Sequence, residues 1–369
     1  MRWSWAVLLV AVGACYSPTI QTGAPCNKDE PCPRPLVCST ATGTCEHADI
    51  DAAVGDDAGD DQPPDAFVPP IDAPPIMGCT PIGFDICGDG IDQDCDGADS
   101  ICAANDLPAD AIDVTMGGMQ SGNLNLARDN APQKGCGDKG GRDLFYKVTL
   151  AEPQVYYFDT FGSNFDTSVR AFPGKACTAI TATDLPVCSD DACGGNQSQL
   201  ATELPAGTSC IVVDQNPNQP QGAMALKVTA GGHFGDPLAA GPQTVTGDTC
   251  MSKDMWKGSC GAIGGKEDAY FFTVCPGVTS HLQATTCADP TLTHFDTVLY
   301  LRKGGTMQGG FGTCSDDASA CSPRPDRPDH ADGSILNGTP AAGPGLFFVV
   351  VDGYDSAACG VYSANLSVQ

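Results

Sequence analysis

The feature that most constrains this chain is an internal repeat in its last two thirds. CGDKGGRDLFYKV (136–148) is answered by CGAIGGKEDAYFF (260–272), and NFDTSVRAF (164–172) by HFDTVLYLR (294–302). CSDD recurs at 188–191 and 314–317, LPAGTSCIVVD (204–214) returns as AGPGLFFVVVD (342–352), and AMALKVT (223–229) pairs with GVYSANLSV (360–368). Matched blocks in one order, at similar spacing, describe two homologous units over 105–231 and 234–369. This alignment sets Asp143 against Asp268. Each block must therefore find a place in the same fold twice.

The blocks read as strands. Phe295, Thr297, Leu299 and Leu301 alternate with Asp296, Val298, Tyr300 and Arg302, as in a half-buried strand. Leu346–Val351 is apolar throughout and is expected at a sheet centre. No segment sustains a helical apolar period, and the 44 glycines and 29 prolines suit short strands joined by turns. The expected class is all-β, as two tandem antiparallel sandwiches. The motifs Asp-x-Tyr-Phe, Phe-Asp-Thr-x-Leu, Cys-x-Asp-Asp and Val-Val-Val-Asp-Gly resemble the bacterial pre-peptidase C-terminal domain, which implies jelly-roll-like sandwiches. The first copy departs from that pattern at Ser168, Arg170 and Asp214-Gln. Such domains accompany peptidases, and they also occur in tandem on lipoproteins without a catalytic domain.

The 21 cysteines imply an oxidising compartment. A basic start and a short apolar run lead to VGAC at 12–15, which resembles a bacterial lipobox, with residues 1–14 as signal peptide and Cys15 as the lipidated residue. Without Cys15, 20 cysteines are left, an even number suited to complete pairing. Residues 15–48 then form a lipid-anchored knot in which Cys26, Cys32, Cys38 and Cys45 stand in for a core. Residues 49–77, built mostly of Asp, Ala, Pro and Val, form a disordered linker reaching roughly 90 Å if extended at about 3.1 Å per residue. The whole resembles a myxobacterial-type surface lipoprotein. In the repeats, Cys188–Cys193 and Cys314–Cys321 are expected as matching local bridges, with Cys250–Cys260 and Cys275–Cys287 added in the second copy. Cys136, Cys177, Cys210 and Cys359 are left unassigned.

Acids outnumber bases 45 to 18, for a formal charge of -27, which excludes nucleic acid as a partner. No His-Glu-x-x-His, Gly-x-Ser-x-Gly or phosphate-loop motif is present, and the histidines are scattered, so no enzyme is expected. The alternative, an accessory or cryptic secreted hydrolase, rests only on the company such domains keep.

One stretch carries chemistry. In GDGIDQDCDGAD (88–99), Asp92, Asp94 and Asp96 alternate before Gly97, the layout of a calcium loop, with Asp89 or Asp99 expected to complete the shell. The twelfth position is Ala103, so the bidentate glutamate of an EF-hand is missing. The stretch also resembles the Cys/Asp motif of MopE-type surface copper-binding proteins. Hard carboxylate donors and oxidised cysteines favour calcium over copper, with Cys79, Cys87, Cys95 and Cys102 as staples of the 78–103 segment. An empty stapled turn is the competing reading. Further candidate clusters are Asp166 with Asp190 and Asp191, and Asp296 with Asp316 and Asp317, set against ordinary strand-capping aspartates. The functional expectation is a lipoprotein held in the outer membrane through its lipid, presenting its sandwiches to a surface glycan or protein ligand.

Overall fold

The computed structural model describes residues 79–369 apart from 84, 133–134, 137–139, 217–221, 262–263, 288–291, 306–312 and 323–331. It also gives the backbone of two short strands in the first of two compact units, Met1–Pro69 and Pro70–Gln369. Those strands, β1 (Val37–Cys38) and β2 (Cys45–Glu46), pair antiparallel. The signal, Cys15, the bridges of the knot and the linker lie outside the described residues.

The first sandwich contains β3 (Ile112–Asp113), β4 (Gly118–Asn123), β5 (Asp143–Leu150), β6 (Gln154–Asp159), β7 (Thr167–Phe172), β8 (Val187–Asp190), β9 (Gln199–Leu204), β10 (Gly207–Gln215) and β11 (Ala223–Ala230). The second repeats the set with β12 (Asp236–Pro237), β13 (Gly241–Asp248), β14 (Glu267–Val274), β15 (Thr279–Thr285), β16 (Thr297–Lys303), β17 (Cys314–Asp316), β18 (Ile335–Ala342), β19 (Gly345–Gly353) and β20 (Val361–Val368). Sheet orders are β3-β5-β10-β7-β8 over β4-β11-β6-β9, then β12-β14-β19-β16-β17 over β13-β20-β15-β18. The chain is thus all-β, and its pairing is antiparallel except where the two-residue strands β3 and β12 join their sheet edges in parallel. The apolar run 346–351 lies in β19, between β14 and β16.

Alternating side chains fill each interior. Leu144, Tyr146 and Val148 of β5 face Tyr156 and Phe158 of β6 in the first, and Phe347, Val349 and Val351 of β19 face Tyr362, Ala364 and Leu366 of β20 in the second. A polar knot recurs beside each core. Thr160 and Thr167 share a hydroxyl hydrogen bond of 2.6 Å, Ser198 N donates to Thr160 Oγ1, and Ser198 Oγ donates to the Ser189 carbonyl. Thr286, Thr297, Ser334 and Ser315 reproduce it. Ser189 Oγ accepts from Gln199 N and Ser315 Oγ from Ile335 N, which is why threonine follows Phe-Asp and serine follows the turn cysteine in both copies.

The alternation of β16 does not mark a solvent face. Residues 297–302 are buried on both sides, because Val298 and Tyr300 join Ala269, Phe271, Phe348 and Val350 in a second apolar layer against Val155 and Tyr157 of the first sandwich. The copies therefore share a core. Gln199 Nε2 donates to the Val274 carbonyl at 3.0 Å, and Cys193–Cys275 joins them covalently.

The expected bridges are corrected accordingly. Cys188 pairs with Cys136 and Cys314 with Cys260, each tying the start of its copy to its outermost long-sheet strand. Left-handed backbone at Asp191 and Cys193 (φ 51° and 60°) turns Cys193 away from Cys188 and toward the second copy. Cys321 pairs with Cys287 and Cys250 with Cys359, while Cys177–Cys210 pins a short turn over the outer face of the first five-stranded sheet. Every cysteine from Cys79 onward is bridged.

Candidate metal centre

The acidic stretch is held by two bridges, Cys79–Cys95 and Cys87–Cys102. Between them the chain has too little apolar surface for a core of its own, and carboxylates organise it. Asp85, 3% exposed, is the hub: its two oxygens accept from Gln93 N, Asp94 N, Ser100 N and Ser100 Oγ at 2.8–3.1 Å. Burial raises its pKa, but these four hydrogen bonds outweigh that and hold the carboxyl below its usual range. Left-handed backbone at Cys95 (φ 65°) and Gly97 (φ 108°) lets the chain wind around the following carboxylates. Asp92 accepts from Asp96 N and Gly97 N, and Asp94 also accepts from Asp96 N.

Asp85, Asp92, Asp94 and Asp96 each bring one oxygen into a group whose members all lie within 4.8 Å of one another. The carboxyl of Asp94 is pushed up, first by desolvation and then by the like charges of Asp85, Asp96 and Asp92. A divalent cation would relieve that repulsion. The donors are hard oxygens and the local sulfurs are oxidised, a set that could hold a metal ion through oxygen alone. Two expected ligands are elsewhere. Asp99 accepts from Gly88 N and Gly90 N, and Asp89 accepts from Ile91 N and Gln93 Nε2, so both carboxylates brace the loop instead of facing its centre. Asp85 takes that place, seven residues before the alternating run, where no loop consensus points to it.

In the first sandwich Asp166, Asp190 and Asp191 converge as expected. In the second the group is Asp296, Asp317 and Asp332, and Asp316 is not in it. Asp332 occupies the position of Asn196, since the carbonyl of each accepts the amide of the threonine after Phe-Asp. The connection from Asp317 to Ser334 is longer than that from Asp191 to Ser198, which hides the equivalence in the sequence. Burial, then neighbouring Asp317, pushes the Asp316 carboxyl up.

A further set of acids is buried at the far end of the central strands. Asp143 stands opposite Asp214, and Glu267 opposite Asp352, so Glu267 and not Asp268 is the counterpart of Asp143. Asp143 accepts from the amides of Asn130 and Ala131, and Glu267 from those of Met255 and Trp256. The repeated Gly-Gly serves this place: a Cβ on Gly141 or Gly265 would overlap the carbonyl oxygen of Gln215 or Gly353. In the first copy Arg170 donates to Asp214, and in the second Tyr300 donates to Asp352 at 3.3 Å. Glu267 also meets His233 at 3.3 Å, a fully buried histidine packed on Trp256 in the segment joining the copies. A scattered histidine in the sequence gave no sign of that partner.

No protein-family model matches the chain, and no curated protein matches it in sequence. Among solved structures, it is similar to the pre-peptidase C-terminal domain of a collagenase from Bacillus anthracis, with 16% identity and a TM-score of 0.22 over 37% of this chain and 96% of that one. It is also similar to the CUB1-EGF-CUB2 domains of rat MASP-1, with 7% identity and a TM-score of 0.17 over 70% of this chain and 99% of that one. Among the described residues no helix is long and apolar enough to cross a membrane.

Proposed function

We propose that the chain is a non-catalytic lipoprotein of the cell surface, anchored in the outer membrane through Cys15, that presents two fused sandwiches for binding and carries a calcium loop beside the first. The observation that carries the reading is the convergence of Asp85, Asp92, Asp94 and Asp96 on a loop closed by two bridges and built against a sandwich with no catalytic motif. The loop is joined to that sandwich by Arg142, which donates to the carbonyls of Asp85 and Asn125, so an ion there would stiffen a surface module. Its partners are a glycan or protein on a surface, and its acidity excludes nucleic acid.

Calorimetry on the disulfide-intact protein is expected to give calcium binding with Kd of roughly 10⁻⁴ to 10⁻³ M, as in extracellular modules without a closing glutamate. Asp92→Asn and Asp94→Asn should abolish it, while Asp99→Asn should weaken it only through the loop. No heat at millimolar calcium would leave a stapled acidic turn and remove the ion from this proposal. For the anchor, wild-type protein should fractionate with membranes and Cys15→Ser should not, since acyl chains supply about 0.8 kcal/mol per buried CH₂. An unmodified mature N-terminus in mass spectrometry would end that part of the reading.

A further inference from the structure

The two sandwiches differ most where they should be equivalent, on the outer face of the four-stranded sheet. In the first copy that face carries Val155, Tyr157 and Ala201, and the second copy packs on it. Counting from the shared Thr160/Thr286 and Ser198/Ser334 positions, the second copy has His281, Gln283 and Asn337 there, and all three are exposed. An apolar docking face has become a polar one. Docking of another sandwich on it would bury amides without partners, which is unfavourable.

This face is hollowed. A groove of about 550 Å³ crosses all four strands in the order β13, β20, β15, β18, lined among others by Thr244, Asn365, Ser367, Gln283, Asn337 and Ile335. No charged side chain lines it, in a chain with 45 acids and 18 bases. Its volume is that of small-ligand sites, which run to roughly 300–1,000 Å³. In its floor Ser367 is 8% exposed and its hydroxyl has no hydrogen-bond partner. Buried hydroxyls are almost always paired, so a water or a ligand atom is left to complete this one.

From these observations we infer that the outer face of β13-β20-β15-β18 is a binding groove for a neutral glycan. The inference rests on the reading of the chain as a binding module and assigns the place and the ligand class. The amides of Gln283 and Asn337 offer donors and an acceptor together, the pattern that adjacent sugar hydroxyls require, and Asn365, whose Oδ1 accepts from Thr244 Oγ1, adds its amide donors. Ile335 supplies an apolar surface for the C–H face of a ring. No acidic or basic side chain lines the groove, so nothing in its side chains selects for a charged ligand. A peptide is less suited. Extended peptides add to an unpaired strand edge through main-chain bonds, whereas the groove runs across strands whose main chains are already paired with one another.

The test uses the full disulfide-bonded chain on immobilised dextran, cellulose, mannan and galactan, with alginate and heparin as acidic controls. Oligosaccharides of the best-retained neutral polymer are then titrated calorimetrically. Retention of at least one neutral polymer is expected. Gln283→Ala and Asn337→Ala, both exposed and harmless to folding, should each weaken binding by about tenfold, the loss of one net hydrogen bond at the upper end of its usual range. Retention of no neutral polymer by folded protein would overturn the inference, as would affinity unchanged in both variants or preference for alginate or heparin. Binding of an acidic polymer or of a protein, unaffected by either substitution, would overturn the groove alone and leave the binding-module reading in place.

Discussion

Arg170→Ala is expected to destabilise the protein by about 3–5 kcal/mol in denaturant unfolding, the cost of stranding a buried charge. Arg170 is 2% exposed, its Nη1 donates to the Pro132 carbonyl at 2.8 Å, and its Nη2 donates to Asp214, itself buried opposite Asp143. Removing the guanidinium leaves Asp214 buried without its cation, opposite Asp143. Arg170→Tyr should cost less than half as much. The second copy shows why, since Tyr300 at the same register donates to Asp352 beside Glu267. A loss below about 1 kcal/mol for the alanine variant would mean that Asp214 is protonated and the pair adds little.

The second large effect is of pH. Burial, with the neighbouring Asp214 adding to it, pushes Asp143 up to about 8, and burial, with Glu267 adding to it, pushes Asp352 up to about 8. Asp214 is pushed by burial to about 7 against the pull of Arg170. Unfolded aspartate titrates near about 3.9, so between that value and these the folded chain holds protons that the unfolded chain has released. Their contribution is thus fully present below about pH 4 and is lost as pH rises through about 7 to 8, at up to about 1.4 kcal/mol per pH unit for each group. Asp85, Asp113 and Asp184 are shifted down and act oppositely, losing their contribution as pH falls below the ordinary carboxylate range. The melting temperature should therefore be highest in mild acid and decline toward pH 8. Asp352→Asn should flatten that decline, which separates the buried acid from the general repulsion of a chain with charge -27. A melting temperature that rises from mild acid to pH 8 would contradict this account.

What could be read in the sequence was whatever the duplication wrote twice. The Phe-Asp-Thr and Cys-Ser-Asp-Asp blocks fix strand positions because their threonines and serines bond to one another in both copies. The apolar run at 346–351 indicates a central strand because both its faces are covered. What escaped was written once or depended on distance through space. Cys193 and Cys275 are 82 residues apart and have no counterpart pair. Val298 and Tyr300 read as one side of a half-buried strand because nothing local reveals a second sandwich against them. In the acidic loop, alternation identified Asp92, Asp94 and Asp96 but could not separate carboxylates that face the centre from Asp89 and Asp99, which brace the turn. Asp85 and Asp332 reach their groups from outside the pattern by folding back.

The Cys193–Cys275 bridge has a mechanical meaning for any force that runs along the chain. Tension passing from the first copy to the second can cross at this covalent link, so the segment between the two cysteines is shunted. Stretched out at about 3.5 Å per residue, that segment of 82 residues would add close to 290 Å of slack. With the bridge closed, none of it can pay out. The strands from β9 to β14 (199–274) lie within this loop, so they can come apart without lengthening the path that carries the force, and the two sandwiches stay within reach of each other to reform.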